Sequence, residues 1–198
     1  MAAHIRLANE QDAASILRIY APYVLETAIS FETAPPTVNE MRGRLAAGSQ
    51  KLPWLLCENE GEVLGYAYAS RHRERAAYRW AVDVAVYVDS SHHRSGIGRG
   101  LYSSLLPMLS ELGYYQAYAG IALPNESSVG LHEAIGFKRL AVYPSVGFKL
   151  GRWHDVGWWL LTLQEPVTEP PEPRALSDLV QTSEFTALLA AGEPSLRI

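Results

Sequence analysis

A short strand that runs into a glycine-bearing turn and reopens as a helix constrains this chain more than any other stretch. Val84-Ala85-Val86-Tyr87-Val88 is rich in β-branched and aromatic residues, which suit an extended strand. A polar turn follows, then Arg94-Ser95-Gly96-Ile97-Gly98, and a helical pattern begins near Arg99. Strand, glycine loop and helix start together form an anion cradle: successive N–H groups point at the ligand, and the helix macrodipole favours negative charge. Gly96 and Gly98 allow close backbone approach, and Arg94 and Arg99 add positive charge beside it. On glycine spacing alone, an ordinary tight strand-to-helix connection fits as well.

Two familiar phosphate loops fail on the residues. A P-loop needs Lys-Ser or Lys-Thr after its last glycine, and Arg99-Gly100 follows Gly98. The dinucleotide fingerprint needs a third glycine where this chain has Leu101. The strand also follows a hairpin rather than opening a βαβ unit, which predicts a mixed sheet with a late phosphate loop. Within Trp80–Val88, Val82, Val84, Val86 and Val88 face one way and Ala81, Asp83, Ala85 and Tyr87 the other. A carboxylate between alanines on such a strand is out of character for a solvent face.

The surrounding pattern predicts a short strand at His4–Leu7, then an Asn9-capped helix from Gln11 to about Glu26 with a kink at Pro22. Thr37 and Glu40 form a capping-box pattern that opens a second helix, ending before Gly48. Leu52–Glu58 and Val63–Ser70 read as a hairpin, and Arg71–Arg79 as a basic, exposed connection. After the glycine loop come a helix from Gly98 to Leu112 distorted at Pro107, a strand at Tyr115–Ala122 and an Asn125-capped helix ending at Gly136. Strands at Ala141–Leu150 and Val156–Gln164, joined through Gly151–Asp155, follow. Glu165–Arg174 is a proline-rich, acidic linker, and Leu176–Ala191 reads as a terminal helix.

The 198 residues, 48% of them hydrophobic, suit one globular domain with an appendage. A net charge of -4 argues against nonspecific nucleic-acid binding. Cys57, the single cysteine, excludes an internal disulfide and a cysteine-rich zinc cluster; separately, no metal is expected. The N-terminal residues lack the apolar core of a signal peptide, and no apolar run nears the roughly 20 residues of a membrane span. The expectation is a soluble, cytoplasmic protein without membrane or nucleic-acid partners.

His93-Arg94-Ser95-Gly96-Ile97-Gly98 resembles the acyl-CoA pyrophosphate motif Gln/Arg-x-x-Gly-x-Gly/Ala of the GCN5-related N-acetyltransferases (GNAT). Ala77-Tyr78-Arg79-Trp80, Val86-Tyr87-Val88, Leu123-Pro124-Asn125, Leu131-His132-Glu133-Ala134 and Trp153-His154-Asp155-Val156-Gly157 look like the phosphinothricin N-acetyltransferase subgroup. The likeness spans roughly residues 4–164. It implies an acetyltransferase domain over residues 1–164 with a linker and tail at 165–198, and a mixed, largely antiparallel sheet flanked by helices. It further implies a homodimer and direct acetyl transfer from acetyl-CoA to a small amino-acid-like amine such as phosphinothricin, methionine sulfoximine or methionine sulfone. Acetylation of a protein N-terminus or another small amine is the second reading, and a non-catalytic acyl-CoA sensor the third.

An amine attacks only as the free base, and its pKa of roughly 8 or above calls for a nearby proton acceptor. Asp83 is the candidate, directly or through water; the subgroup usually has Glu there, one methylene longer, and Thr in place of Ala85. The resemblance gives the cofactor the backbone of Val86, Tyr87 and Val88, the loop His93, Arg94, Ser95, Gly96, Ile97, Gly98 and Arg99, and Asn125 and Ser128. Asn125 and His132 lie two helical turns apart on one face, with Ser128 between. His132 is the candidate proton donor to the leaving thiolate, or holds a water chain. Arg73 and Arg75, which match basic positions in the subgroup, are the candidate carboxylate clamp, their forked guanidinium groups suiting a carboxylate or phosphinate, although a charged loop is more often solvated surface. Phe31 and Tyr87 are candidates to line the substrate pocket, an aromatic in either place being as often core packing. Two departures stand out: His93 at the first loop position, and Glu32 where a basic residue is familiar. Trp153 and His154 are assigned to the late hairpin or a dimer interface.

Overall fold

The computed structural model of the chain describes residues 3–48 and 51–198. Seven strands form one sheet: β1 His4–Leu7, β2 Trp54–Asn59, β3 Glu62–Arg71, β4 Ala81–Val88, β5 Gln116–Leu123, β6 Lys138–Lys149 and β7 Arg152–Thr162. Their order is β1-β2-β3-β4-β5-β7-β6. Every neighbouring pair is antiparallel except β4 with β5. The helices are α1 Ala13–Glu26, α2 Val38–Gly48, α3 Ile97–Glu111, α4 Glu126–Ile135, α5 Leu176–Val180 and α6 Phe185–Ala190. This is the expected mixed, largely antiparallel sheet with flanking helices.

Strand alternation divides the core in two. On one face, Ile16, Ile19 and Val24 of α1 and Met41 and Leu45 of α2 bury against Leu56, Val63 and Tyr66. On the other, Leu101, Tyr102, Leu105 and Met108 of α3 pack with Leu55, Ala67, Val82, Val84, Ala117 and Ala119. Each fully buried leucine contributes roughly 1.5–3 kcal/mol relative to exposure. The valines of β4 therefore belong to the α3 core, and Asp83 to the face shared with α1 and α2.

Local signals account for most boundaries. Asn9 accepts a hydrogen bond from Gln11 N–H and caps a 3-10 turn, Glu10–Asp12, and α1 follows from Ala13. Thr37 and Glu40 form the reciprocal capping box, with Thr37 N–H to Glu40 Oε2 at 2.6 Å and Glu40 N–H to Thr37 Oγ1 at 3.2 Å. Helices α1 and α3 continue through Pro22 and Pro107, both on exposed positions where water can take the released carbonyl. The connection expected at Gly151–Asp155 is instead a two-residue turn, Leu150-Gly151, with φ of 50° and 77°. Two successive left-handed residues close a hairpin whose twist matches its strands, so Trp153, His154 and Asp155 extend β7.

The segment expected as one helix over Leu176–Ala191 forms two short helices, α5 and α6. They lie on the domain: Leu176 and Leu179 are buried in the α3 core. Trp80 Nε1 donates to the Pro171 carbonyl (2.7 Å), Arg174 N–H to Leu112 O (2.8 Å) and Gly192 N–H to Ser104 Oγ (3.1 Å). Ile5 N–H donates to Glu193 Oε1 at 3.0 Å, which ties the tail to the edge strand. Gly192 passes so close to α3 that a Cβ there would collide with the Gly100 carbonyl. Gly192→Ala is therefore expected to destabilise the protein by about 1–3 kcal/mol in urea unfolding. Gly43→Ala, on an α2 position with nothing within 4 Å, is expected to be neutral or stabilising by up to about 1 kcal/mol.

Candidate active site

The β4–β5 ladder pairs Ala81 with Gln116, Val82 with Ala117 and Asp83 with Tyr118, and stops there. Beyond Asp83, β4 stays with β3 and β5 stays with β7, so a fork opens between them. The β4 edge over Val84–Val88 that faces the fork has no strand partner among the described residues. Asp83 stands at the fork's closed end, on the face away from the α3 core.

The glycine loop sits where the fork opens. Arg94 and Gly96 take φ of 64° and 80°, the left-handed region, and α3 starts at Ile97. Among the described residues, the N–H groups of Ser95, Gly96, Ile97 and Gly98 make no hydrogen bond, the donor set an anion needs at a helix N-terminus. Gly98 lets α3 approach α4, since a Cβ there would stand 2.9 Å from Leu131. From behind, Arg197 N–H donates to Ser95 O at 2.9 Å, and a Cβ on Gly96 would collide with the Ser195 carbonyl. The segment after β4 is held by α1: Arg18 pairs with Asp89 at 2.6 Å, and Tyr23 donates to the Val88 carbonyl at 2.6 Å. Its Ser91 hydrogen bonds and Arg18 keep the Asp89 carboxyl below its ordinary value. His93 Nε2 lies 3.1 Å from Tyr23 Oη, whose proton is already given to Val88, so His93 is the donor there. Its ring is thus anchored to α1, while Arg94 and Arg99 are exposed beside the loop. An acyl-CoA pyrophosphate fits this cradle: backbone donors free, glycine where a side chain would intrude, cations at the rim.

Across the fork lies a residue that sequence reasoning passed over. His72 Nδ1 is 2.7 Å from Asp83 Oδ1. The imidazole stacks on Tyr118 at 4.2 Å and meets Trp158 edge-on at 6.1 Å. Burial pushes the Asp83 carboxyl above its ordinary value, while His72 and Arg73 act in the opposite sense. Trp158, Phe31, Gly120, Ala122, Tyr143 and Val156 wall an apolar cleft of about 340 Å³ next to this pair. Trp158 Nε1 is buried there with no hydrogen-bond partner among the described residues. Phe31 lies over the backbone of Gly147, which holds it at the mouth.

Of the two arginines, Arg73 stands nearer this cleft: it does not line it, but its guanidinium carbon lies 6.0 Å from the ring of Trp158, one of the cleft's walls. Arg75 has no contact with the cleft, and both arginines line a separate groove of about 850 Å³ with Arg44, Arg71 and Arg79. Glu32 is neutralised by Arg44 (2.6 and 3.0 Å) and bonded by Tyr20 Oη (2.9 Å), contacts that hold its carboxyl below its ordinary value. Tyr87 lies inside an aromatic cluster, 5.1 Å from Tyr20 and 5.2 Å from both Tyr23 and Tyr66, so its ring packs against α1 and does not line the cleft.

On the far side, Asn125 caps α4 by accepting from Ser128 N–H at 3.2 Å, which leaves its amide NH₂ free to donate. His132 is buried, with Nε2 3.0 Å from Tyr102 Oη and Nδ1 2.7 Å from the Ser128 carbonyl. Burial holds its imidazole below the ordinary value, opposed by the Ser128 carbonyl. Both ring nitrogens are thus engaged within the α3–α4 packing.

Comparison with known proteins agrees with this geometry. A family profile described as Acetyltransferase (GNAT) domain matches residues 5–158. The chain is 39% identical to the phosphinothricin N-acetyltransferase of Streptomyces viridochromogenes, covering 85% of this chain and 91% of that protein. It is 36% identical to the L-methionine sulfoximine/L-methionine sulfone acetyltransferase of Salmonella typhimurium, over 81% and 95% of the two chains. A solved GNAT superfamily phosphinothricin acetyltransferase from Sinorhizobium meliloti, in complex with acetyl-CoA, superposes with a TM-score of 0.82. That pair is 36% identical over 87% of this chain and 95% of the other. The chain therefore belongs to the GCN5-related N-acetyltransferase (GNAT) family, as an acetyl-CoA-dependent N-acetyltransferase similar to the phosphinothricin N-acetyltransferases.

Proposed function

We propose that the protein acetylates the amine of a small amino-acid-like substrate of the phosphinothricin, methionine sulfoximine or methionine sulfone class. The observation that carries this reading is the fork: a partly buried carboxylate at its closed end, unpaired backbone donors at its mouth, and a small apolar cleft with an arginine beside it. Bound acetyl-CoA supplies an acetyl thioester whose carbonyl carbon accepts the amine. The N–H groups of Ser95–Gly98 hold the pyrophosphate, with Arg94 and Arg99 at its edge. The Asn125 amide holds the pantetheine arm. The fork-facing N–H groups of Val86 and Val88 polarise the thioester oxygen. Asp83 is the carboxylate on which acceptance of the amine proton depends, and Arg73 receives the substrate's carboxylate. Phe31 and Trp158 enclose its side chain. His132 acts as a brace between α3 and α4, and thiolate departure needs little help, a thiol having a pKa of roughly 8.5.

We also assign a homodimer and a cytoplasmic location. Phe148, Leu150 and Trp153 at the β6–β7 turn are 60%, 58% and 63% exposed, an apolar patch that favours cover by a second copy. Cys57 is a buried free thiol, and no described helix is long and apolar enough to cross a membrane.

Thiol release from acetyl-CoA is expected with phosphinothricin or a methionine sulfoximine or sulfone, and not with a peptide N-terminus; turnover confined to peptides would overturn the substrate assignment. Asp83→Ala is expected to cut turnover by roughly 100-fold or more. Because burial raises this carboxyl, its ionisation opposes folding at neutral pH, and that cost vanishes below the unfolded carboxyl's pKa. Thermal melts should show Asp83→Asn at least as stable as wild type at neutral pH and level with it in acid. Light scattering should find a dimer that Trp153→Glu converts to monomer.

A further inference from the structure

The proton path at this site can be taken one residue further, on the acetyltransferase reading above. His72 Nδ1 lies 2.7 Å from Asp83 Oδ1. A carboxylate only accepts hydrogen bonds, so Nδ1 carries the proton and the neutral ring keeps its lone pair on Nε2. Nε2 has no hydrogen-bond partner among the described residues, yet it is not sealed: the buried, unpartnered side-chain atom there is Trp158 Nε1. The ring's orientation is fixed from several sides. Tyr118 stacks on it at an interplanar angle of 16°, and Tyr78 and Trp158 stand edge-on at 6.0 and 6.1 Å. Arg73 donates to the His72 carbonyl at 2.9 Å, which steadies the backbone beneath it. Asp83 and Arg73 are the charged groups that act on this pair.

This is a base with its orienting carboxylate, awaiting a nucleophile. Asp83 is a short side chain on a strand, one of whose oxygens is already engaged. The imidazole carries the basic atom beyond it, and its ring meets Trp158, one wall of the cleft, edge-on at 6.1 Å. Chemistry favours the same choice: imidazoles, with a reference pKa of about 6.5, match an amine of about 8 better than carboxylates of about 4. The geometry points to His72 as the catalytic residue that takes the amine proton at Nε2, with Asp83 as the positioning residue that holds its tautomer and balances the imidazolium. As the C–N bond forms, the amine proton passes to Nε2. The C–S bond breaks with its electron pair on sulfur, and the proton returns to the thiolate through solvent.

The test uses the full chain with acetyl-CoA and the amine that wild type turns over best. His72→Gln and Asp83→Asn are each expected to lower kcat by roughly 100-fold or more, with KM for acetyl-CoA within about twofold. The double variant is expected to be no worse than the poorer single, because the two act as one unit. Free imidazole is expected to restore part of the activity of His72→Ala and none to Asp83→Ala. Independently of turnover, ¹⁵N spectra of the wild-type ring should show the Nδ1–H tautomer, lost in Asp83→Ala. Turnover by His72→Gln within about threefold of wild type would overturn this role alone, as would an Nε2–H tautomer in the wild type. Wild type that acetylates no amine would sink the substrate reading and this role with it.

Discussion

The parallel pairing between β4 and β5 ends after three residue pairs, and the rest of the site depends on that interruption. A sheet that kept zipping would spend the fork-facing amides of Val86 and Val88 on a neighbouring strand. Because β5 is claimed by β7 along its whole length, it leaves β4 without breaking its own ladder. The fork therefore opens where one edge can remain unpaired among the described residues while every strand still has a partner on its other side. Asp83 and Tyr118 are the last pair before the gap, which puts the carboxylate and the ring beneath His72 side by side.

Two kinds of support keep the opening in shape. Apolar packing of α3 against Val82 and Val84 fixes the back of β4. Polar ties fix its far end, where Tyr23 binds the Val88 carbonyl and Arg18 binds Asp89. The same helix α1 presents Tyr20 to Glu32, so the acidic residue next to Phe31 is satisfied by Tyr20 and Arg44 and adds little negative charge to the cleft. The cleft consequently keeps an apolar wall with Arg73 as the cation at its rim.

Much of this was legible in the sequence where the cause is local. The capping signals of Asn9, Thr37 with Glu40, and Asn125 gave the helix starts, and Val82–Val88 showed which way Asp83 faces. The Leu150-Gly151 turn was misplaced because Trp153-His154-Asp155 is polar enough to read as a connection, although its residues pair with β6. A lone aromatic in the sequence does not reveal that three other tyrosines surround Tyr87. His72 was lost in an arginine-rich stretch. A signal existed: once β3 and β4 are paired with Ser70 opposite Asp83, residue 72 becomes the diagonal neighbour on the same face. Register, not composition, would have found it.

The tail carries a consequence for how the molecule comes together. The bond from Ile5 to Glu193 spans 188 positions, and Arg197 completes the back of a loop built from Ser95 and Gly96. Contacts of such long sequence separation form late, since chain entropy is surrendered before they reward it. On the ribosome, the sheet and α3 can assemble while the glycine loop still lacks its rear support. A growing chain would thus hold a stable core before the loop ahead of α3 is finished, and that loop would be completed only when the distant segment arrives.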